Sequence, residues 1–376
     1  MQNTALVFVM TRGMSLSAWR EGGVLGREWA MPARLGAAYR GVVVVSWDAD
    51  SDRHIASELD PAPVVAGPDA DEVVDAVQRL GCERAVVRTN QFSGAQEAAA
   101  ISDSLKHRGI DATLIVRGGY GLGLFRTLTD GPESASDERA EESLACKHAA
   151  ALIGTTQDML DDIADHPPGR VPPRFVVPNY VVPRPRLHRE REQRVVFSAG
   201  RLHPQKRTDM LIRACSGLDT RLVIAGRGPL EGELRRLADE EGVDVDFCGH
   251  LDHDELRDRM ATCTVYAQVS AYEGHPKTVL EAMGEGAAVL VTDTPGLGSV
   301  VRHGETGLVV GSEVDSIRSG LRQLLGDGGS RRRLGEAART EIETELSIDI
   351  IAERELAIHR DLVGGIKKEP ASAAGS

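Results

Sequence analysis

The chain reads as an α/β protein of two parallel-sheet domains, and three observations predict this. Short apolar runs of strand length alternate with amphipathic helical stretches. The alternation breaks at a proline-rich stretch from His166 to Arg194 and then resumes. The 376 residues exceed what one core usually organises, so two domains are expected.

Ala5–Met10 (A-L-V-F-V-M) is an unbroken apolar run and predicts a buried first strand. A loop of small and polar residues follows, with Thr11, Arg12, Gly13, Ser15 and Ser17, and later Gly22 and Gly23. One helical stretch then runs to about Ala38, kinked at Pro32. Gly41–Trp47 is the second buried strand, and Val64–Val65, Arg84–Arg88, Thr113–Arg117 and Leu152–Thr155 mark further strands. Asp71–Leu80 carries Val73, Val74, Val77 and Leu80 on one face and reads as an amphipathic helix. Asp137–Ala151 reads as helical.

The break contains Pro167, Pro168, Pro172, Pro173, Pro178, Pro183 and Pro185, and a mixed-charge run, Arg184–Arg194. It is the expected linker, which sets the domains at 1–183 and 184–345. Strands of the second half are Val195–Ala199, Arg221–Ala225, Val245–Cys248, Thr264–Val269, Ala288–Thr292 and Gly307–Val310. Between them lie helices at Thr208–Ser216, Leu230–Glu240, Asp254–Thr262 and from Pro276. After Val310 only helices are expected: Asp315–Leu325, Ser330–Glu345 and Ile348–Asp361. The last, within 346–362, carries Ile348, Ile350, Ile351, Leu356 and Ile358, a face that must be buried. The second domain's strand pattern is already complete, so this helix is expected to return to the first domain. The tail 363–376, mostly Gly, Ala, Ser, Lys and Pro, is expected to be disordered.

A net charge of −13 argues against a nucleic-acid binder that lives on phosphate contacts. The cysteines number five, form no C-x-x-C pair, and fit free thiols in a reducing cytosol. Neither a signal peptide nor an apolar run of the ~20 residues that span a bilayer is visible, so a cytoplasmic location is expected. Arg12, Arg20, Arg27, Arg34 and Arg40 recur at near-heptad spacing. They read either as a basic face for an anionic acceptor or lipid headgroups, a peripheral membrane contact, or as a solvated face balanced by Glu21 and Glu28.

Chemistry concentrates where strands should end, outside whose carboxyl ends open α/β sheets bind ligands. The stretch Tyr272–Glu285 places Glu273 and Glu281 eight positions apart. Pro276 suits a helix start and Gly274 permits close backbone approach. Glu273 is therefore expected in a loop before a helix, with Glu281 about two turns along it. Free N–H groups at that start suit an anion or sugar hydroxyls, although an ordinary amphipathic helix accounts for the run taken alone. Ser198-Ala199-Gly200-Arg201-Leu202 with Lys206 follows one strand, and Ala225-Gly226-Arg227-Gly228-Pro229 follows the next. Arg201 and Lys206 are placed to reach a phosphate, or are solvated cations; the Gly-x-Gly alone is no more than a tight turn.

Together with Phe247-Cys248-Gly249, Glu281-Ala282-Met283, His303–Leu308 and Pro178-Asn179-Tyr180, these residues make the second half resemble the donor domain of retaining GT-B glycosyltransferases, specifically glycosyltransferase family 4. The resemblance covers about 176–310 well and the first half loosely. It implies two Rossmann-like domains facing each other across a cleft, with the final helix returned to the first. It implies a nucleotide-diphosphate sugar donor of UDP or GDP type, a hydroxyl-bearing acceptor and no further cofactor. Arg201 and Lys206 would hold the diphosphate and offset charge on the leaving phosphate. Glu281 would take the ribose hydroxyls, and Glu273 the transferred sugar. Gly274, His275, Pro276 and Lys277 would present backbone to that sugar, with Thr278 and Val279 by the phosphates, Gly226 and Arg227 in the adjoining turn, and Leu251 near the base.

Three residues depart from the family pattern. His275 replaces a large apolar residue and either selects the donor sugar or fills space; Arg207 replaces a common glycine; Ser299 stands where glutamate is frequent. No Asp-x-Asp loop suggests a metal-clamped diphosphate, so no metal is expected. The first half should hold the acceptor. Its polar strand ends are Arg117-Gly118-Gly119-Tyr120, Arg88-Thr89-Asn90-Gln91 and the loop around Gly13; Asn90 and Gln91 offer both donors and acceptors. The function expected is metal-independent, retaining sugar transfer. An epimerase or phosphorylase on the same fold, and a non-catalytic nucleotide-sugar-binding partner protein, are the alternatives; the intact Glu273, Glu281, Arg201 and Lys206 weigh against silence. The residues do not specify an oligomeric state.

Overall fold

The computed structural model of the chain describes residues 1–166, 171–185 and 191–364. The chain divides into two units: Met1–Pro178 together with the chain from Ile351 on, and Asn179–Ile350.

The first unit runs β1 (Thr4–Val9), α1 (Leu16–Glu21), α2 (Leu25–Gly36), β2 (Gly41–Val45), α3 (Ala49–Ala56), β3 (Val64–Ala66), α4 (Ala70–Arg79), β4 (Arg84–Thr89), α5 (Ala95–His107), β5 (Asp111–Gly118), α6 (Leu122–Asp130), α7 (Ser136–His148), β6 (Ala151–Gly154), α8 (Gln157–Asp165) and β7 (Arg174–Val176). Its strands form one parallel sheet in the order β3-β2-β1-β4-β5-β6-β7. All residues of β1 are buried. That is why the sequence there is a continuous apolar run: helices cover both faces of a parallel sheet.

The second unit runs β8 (Val195–Ala199), α9 (Thr208–Cys215), β9 (Arg221–Ala225), α10 (Glu231–Glu241), β10 (Val245–Gly249), α11 (His253–Thr262), β11 (Val265–Gln268), α12 (Lys277–Gly284), β12 (Val289–Thr292), β13 (Leu308–Val310), α13 (Val314–Gly326) and α14 (Gly328–Glu345). Its parallel sheet is ordered β10-β9-β8-β11-β12-β13. Alternation along each strand splits the core in two. Val195, Phe197 and Ala199 join one apolar layer, with Val279, Leu280 and Met283 of α12. Val196 joins the other, with Leu211, Ile212 and Leu321.

The final helix, α15 (Ile348–Val363), belongs to the first unit from Ile351 on. Ile351, Ala352 and Leu356 are buried, and so are Glu355 and His359. Glu355 receives Arg88 Nε at 2.8 Å, lies 3.6 Å from Arg117 Nε, and has His359 Nε2 at 3.7 Å. Tyr39 Oη is 2.7 Å from His359 Nδ1. The helix thus carries a carboxylate into a sheet interior that already holds two guanidinium groups.

The structure corrects the sequence reading in several places. The loop expected after β1 contains a short helix, α1, which stops before Gly23 (φ +62°); the helical stretch expected beyond it is α2, with Pro32 inside. The boundary lies before Asn179, not after residue 183. Val181 joins the core of the second unit, its N–H donates to Leu346 O at 3.0 Å, and its carbonyl accepts from Ile348 N at 2.9 Å. The second unit likewise runs to Ile350, five residues past the expected end. Helices α3, α6 and α8 had no counterpart in the sequence reading. Pro167, Pro168, part of the Arg184–Arg194 run and the tail from 365 lie outside the described residues.

Candidate functional site

In each unit the strand order reverses direction at one point, between β8 and β11 in the second and between β1 and β4 in the first. Loops leaving the carboxyl ends of neighbouring strands diverge there and leave room for a ligand. In the second unit these are the loops that carry Arg201 and Lys206, after β8, and Glu273, after β11.

The glycines of this region are set by backbone contact. A Cβ on Gly226 (φ +139°) would lie 1.9 Å from Gly200 O, and one on Gly228 would lie 2.2 Å from Leu202 O. The close approach is cross-linked: Gly200 N donates to Ala225 O at 2.9 Å and Leu202 N to Arg227 O at 3.0 Å. Gly226 N reaches Gly249 O at 2.6 Å. The Ala225–Pro229 turn therefore braces the loop that presents Arg201. Arg201 and Arg227 are both exposed.

Lys206 Nζ lies 2.5 Å from Glu273 Oε1, so the expected phosphate-binding lysine already neutralises the expected sugar-binding carboxylate. Its ammonium has further protons for a ligand. Gln268 Nε2 donates to the same Glu273 oxygen at 2.8 Å. Glu273 N donates to Pro295 O at 2.8 Å, and Gly296 (φ +77°) lets that loop pass beneath, since a Cβ there would lie 2.0 Å from Glu273 O. Glu281 is 3% exposed, with Oε1 2.9 Å from His253 Nε2. Helix α12 begins at Lys277 with Pro276 as its cap, so Glu281 stands little more than one turn along, not two.

Other contacts define this helix start. The Val279 side chain is in the core and its N–H donates to Pro276 O at 3.2 Å. The Thr278 hydroxyl donates to Gln268 Oε1 at 2.9 Å. Lys277 Nζ lies 5.8 Å over the Tyr180 ring. His275 is held by Asn179 at two points: Nδ1 accepts the Asn179 N–H at 3.3 Å, and its carbonyl accepts Asn179 Nδ2 at 2.6 Å. The ring thus anchors the 274–276 loop to the entering chain, a use that neither sequence alternative named. Gly274 lies in this loop, and Leu251 packs against the apolar layer under α12. Arg207 takes φ +48° at the start of α9, a left-handed conformation that explains why glycine suits the position.

In the first unit, Gly13 (φ +78°) lies after β1, and Asn90 and Gln91 after β4. Asn90 N donates to Val9 O at 2.8 Å and its Nδ2 to Thr11 Oγ1 at 3.2 Å, which joins the two strand ends. Gln91 Oε1 accepts the Gly119 N–H at 2.8 Å and so holds the next strand end. The Tyr120 ring packs 5.0 Å from Phe125. Arg117 does not face a ligand: it is 5% exposed and turned to Glu355. The near-heptad arginines do not form a bare basic face either. Arg12 pairs with Glu97 and Glu141, Arg20 with Glu58, and Arg27 with Glu28, while Arg40 donates to Leu80 O.

Sequence reasoning missed His253, Gln268 and the anchoring part of Asn179. For Gln268 a signal was present: a lone polar residue closes an otherwise apolar strand, Val265-Tyr266-Ala267-Gln268. For His253 none was, because its partner lies 28 positions away. Among the described residues no helix is long and apolar enough to cross a membrane.

Residues 184–341 match the family model described as Glycosyl transferases group 1. The chain is 34% identical over 173 residues to a GDP-mannose-dependent monoacylated alpha-(1-6)-phosphatidylinositol monomannoside mannosyltransferase of Corynebacterium glutamicum, covering 43% of this chain and 45% of that one. It is 29% identical over 235 residues to a D-inositol 3-phosphate glycosyltransferase of Nocardia farcinica, covering 55% and 51%. The chain thus spans about half the length of the curated relatives it matches. Among solved structures, HepE of Anabaena in complex with UDP superposes with a TM-score of 0.74 at 17% identity, over 96% of this chain and 100% of that one. Sucrose-phosphate synthase of Thermosynechococcus elongatus superposes with a TM-score of 0.73 at 18% identity, over 97% and 100%. The fold is GT-B.

Proposed function

We propose that this chain, whose residues 184–341 form a glycosyl transferases group 1 domain, moves a sugar from a UDP- or GDP-linked donor to a hydroxyl acceptor with retention at the anomeric carbon. The observation that carries the reading is the second unit's strand-end cluster. The Lys206–Glu273 pair lies on the loops before α9 and α12, Glu281 stands just over one turn into α12, and exposed Arg201 follows β8, where the strand order reverses. A cation pair beside a helix N-terminus suits a diphosphate. Two carboxylates suit hydroxyl-rich groups on either side of it.

In this reading Arg201 and Lys206 hold the diphosphate and stabilise the charge that develops as it departs. Glu281, steadied by His253, accepts from the ribose hydroxyls, and Glu273 accepts from a hydroxyl of the transferred sugar. The bond from the anomeric carbon to the phosphate oxygen breaks, and the bond to the acceptor oxygen forms on the same face. The acceptor proton passes to the departing phosphate. The reaction takes place in the cytoplasm without a metal, and Asn90, Gln91 and the Gly13 loop of the first unit serve the acceptor. The identities of UDP in the complex with HepE and of GDP-mannose in the name of the C. glutamicum relative support these two donor classes.

The test is a screen of the purified chain against UDP- and GDP-linked sugars, reading thermal shift and then slow donor hydrolysis without acceptor. Stabilisation by one nucleotide class with release of its sugar is expected. No stabilisation by any of them overturns the reading.

A further inference from the structure

We propose that Gln268 is a positioning residue for Glu273: it dictates which carboxylate oxygen is offered to the donor sugar. The proposal rests on the functional reading of Glu273 above.

Gln268 is the last residue of β11 and is 2% exposed. A buried amide is retained only where its groups are satisfied. Here each has a partner of defined polarity. An ionised carboxylate can only accept, so the amide nitrogen must face Glu273 Oε1, at 2.8 Å. The amide oxygen is then directed to two hydroxyls, Thr278 Oγ1 at 2.9 Å and Tyr266 Oη at 3.0 Å. Burial pushes the Tyr266 phenol well above its usual range, so it remains a donor. A flipped amide would set oxygen against carboxylate oxygen.

Lys206 reaches the same atom, Glu273 Oε1, at 2.5 Å. Both donors therefore converge on one oxygen, and among the described residues Oε2 is left for a ligand hydroxyl. The titratable groups around Glu273 are Lys206 from the turn before α9 and Tyr266 from β11, whose phenol also feels the charge of Glu281 from α12.

Gln268→Glu exchanges the amide for a carboxyl at nearly constant volume. The side-chain carboxyl resonance of Glu273, assigned by its loss in Glu273→Gln, is followed by carbon-13 NMR against pH. Its midpoint is expected to rise by about one pH unit or more, because two carboxylates sharing a site cannot both ionise freely. Donor hydrolysis should fall at neutral pH and recover as pH is lowered. Gln268→Met, similar in volume and uncharged, should lower kcat by about tenfold or more with KM unchanged and no shift of the pH profile. An unmoved Glu273 midpoint in Gln268→Glu, or unchanged kcat in Gln268→Met, overturns the proposal. A wild-type chain that binds neither UDP nor GDP overturns the functional reading instead, and the Glu273 midpoint still decides the positioning role.

Discussion

In a Glu355→Gln variant, two buried guanidinium groups lose their common carboxylate. Glu355 is fully buried, with Arg88 at 2.8 Å and Arg117 at 3.6 Å. Burial alone would raise its pKa, but Arg88, Arg117 and His359 together bring it down to about 2, from 4.5. At 1.36 kcal/mol per unit that displacement corresponds to roughly 3 kcal/mol of stability at neutral pH. Removing one partner of a buried ion pair typically costs about 3–5 kcal/mol, which agrees in size. The assay is selective, because all three tryptophans, Trp19, Trp29 and Trp47, lie in the first unit. For a unit of this size the tryptophan-monitored Tm should fall by about 6–12 °C, at about 2–4 °C per kcal/mol. The sign with pH also follows. A depressed carboxylate contributes stability above its unfolded pKa and loses it as pH falls through the folded value, so the wild type should lose this increment between about pH 4.5 and 2. The variant should lack that loss. A Tm within about 1 °C of wild type would refute the view that Glu355 anchors α15.

His359 adds an earlier acid step: burial lowers its pKa to about 4 despite Glu355, so the unfolded chain takes up a proton first and unit-one stability should decline from about pH 6.5 downward; tryptophan-monitored urea unfolding of His359→Gln should show a flatter profile from pH 7 to 4.5. Arg201→Ala and Lys206→Ala should each reduce transfer by ~10²–10³ while the circular dichroism spectrum is retained; near-normal turnover in both would contradict the diphosphate assignment. Glu281→Gln should mainly weaken nucleotide binding and Glu273→Gln mainly slow transfer, which calorimetry and steady-state kinetics separate; wild-type affinity and rate in both would end that division of roles. Gly226→Ala places a methyl 1.9 Å from Gly200 O, so it should abolish nucleotide-induced stabilisation in a thermal-shift assay and lower the melting temperature of the second unit.

Much of this protein follows from local pattern. The apolar runs at Ala5–Met10 and Val195–Ala199 predict buried strands because a parallel sheet covered on both faces needs apolar residues at consecutive positions. The amphipathic periodicity of Asp71–Leu80 predicts α4, and the apolar face of α15 predicts that the last helix must find a partner. Glu273, Glu281, Arg201 and Lys206 stand at strand ends and a helix start, positions that the strand–helix alternation alone specifies.

What tertiary structure decided is pairing between residues far apart in the chain. That Lys206 meets Glu273, that His253 meets Glu281 and that Asn179 clamps His275 depend on which loops the strand order brings together. Arg117 looked like a ligand-facing cation because it closes a strand. Only the return of α15 supplies Glu355 beside it, and a buried guanidinium follows the carboxylate because charge inside a core must be paired. Sequence periodicity records which face of an element is apolar and where it ends. It does not record which polar side chain from another element fills the space beyond that end, since a hydrogen bond is directional and is settled by three-dimensional proximity.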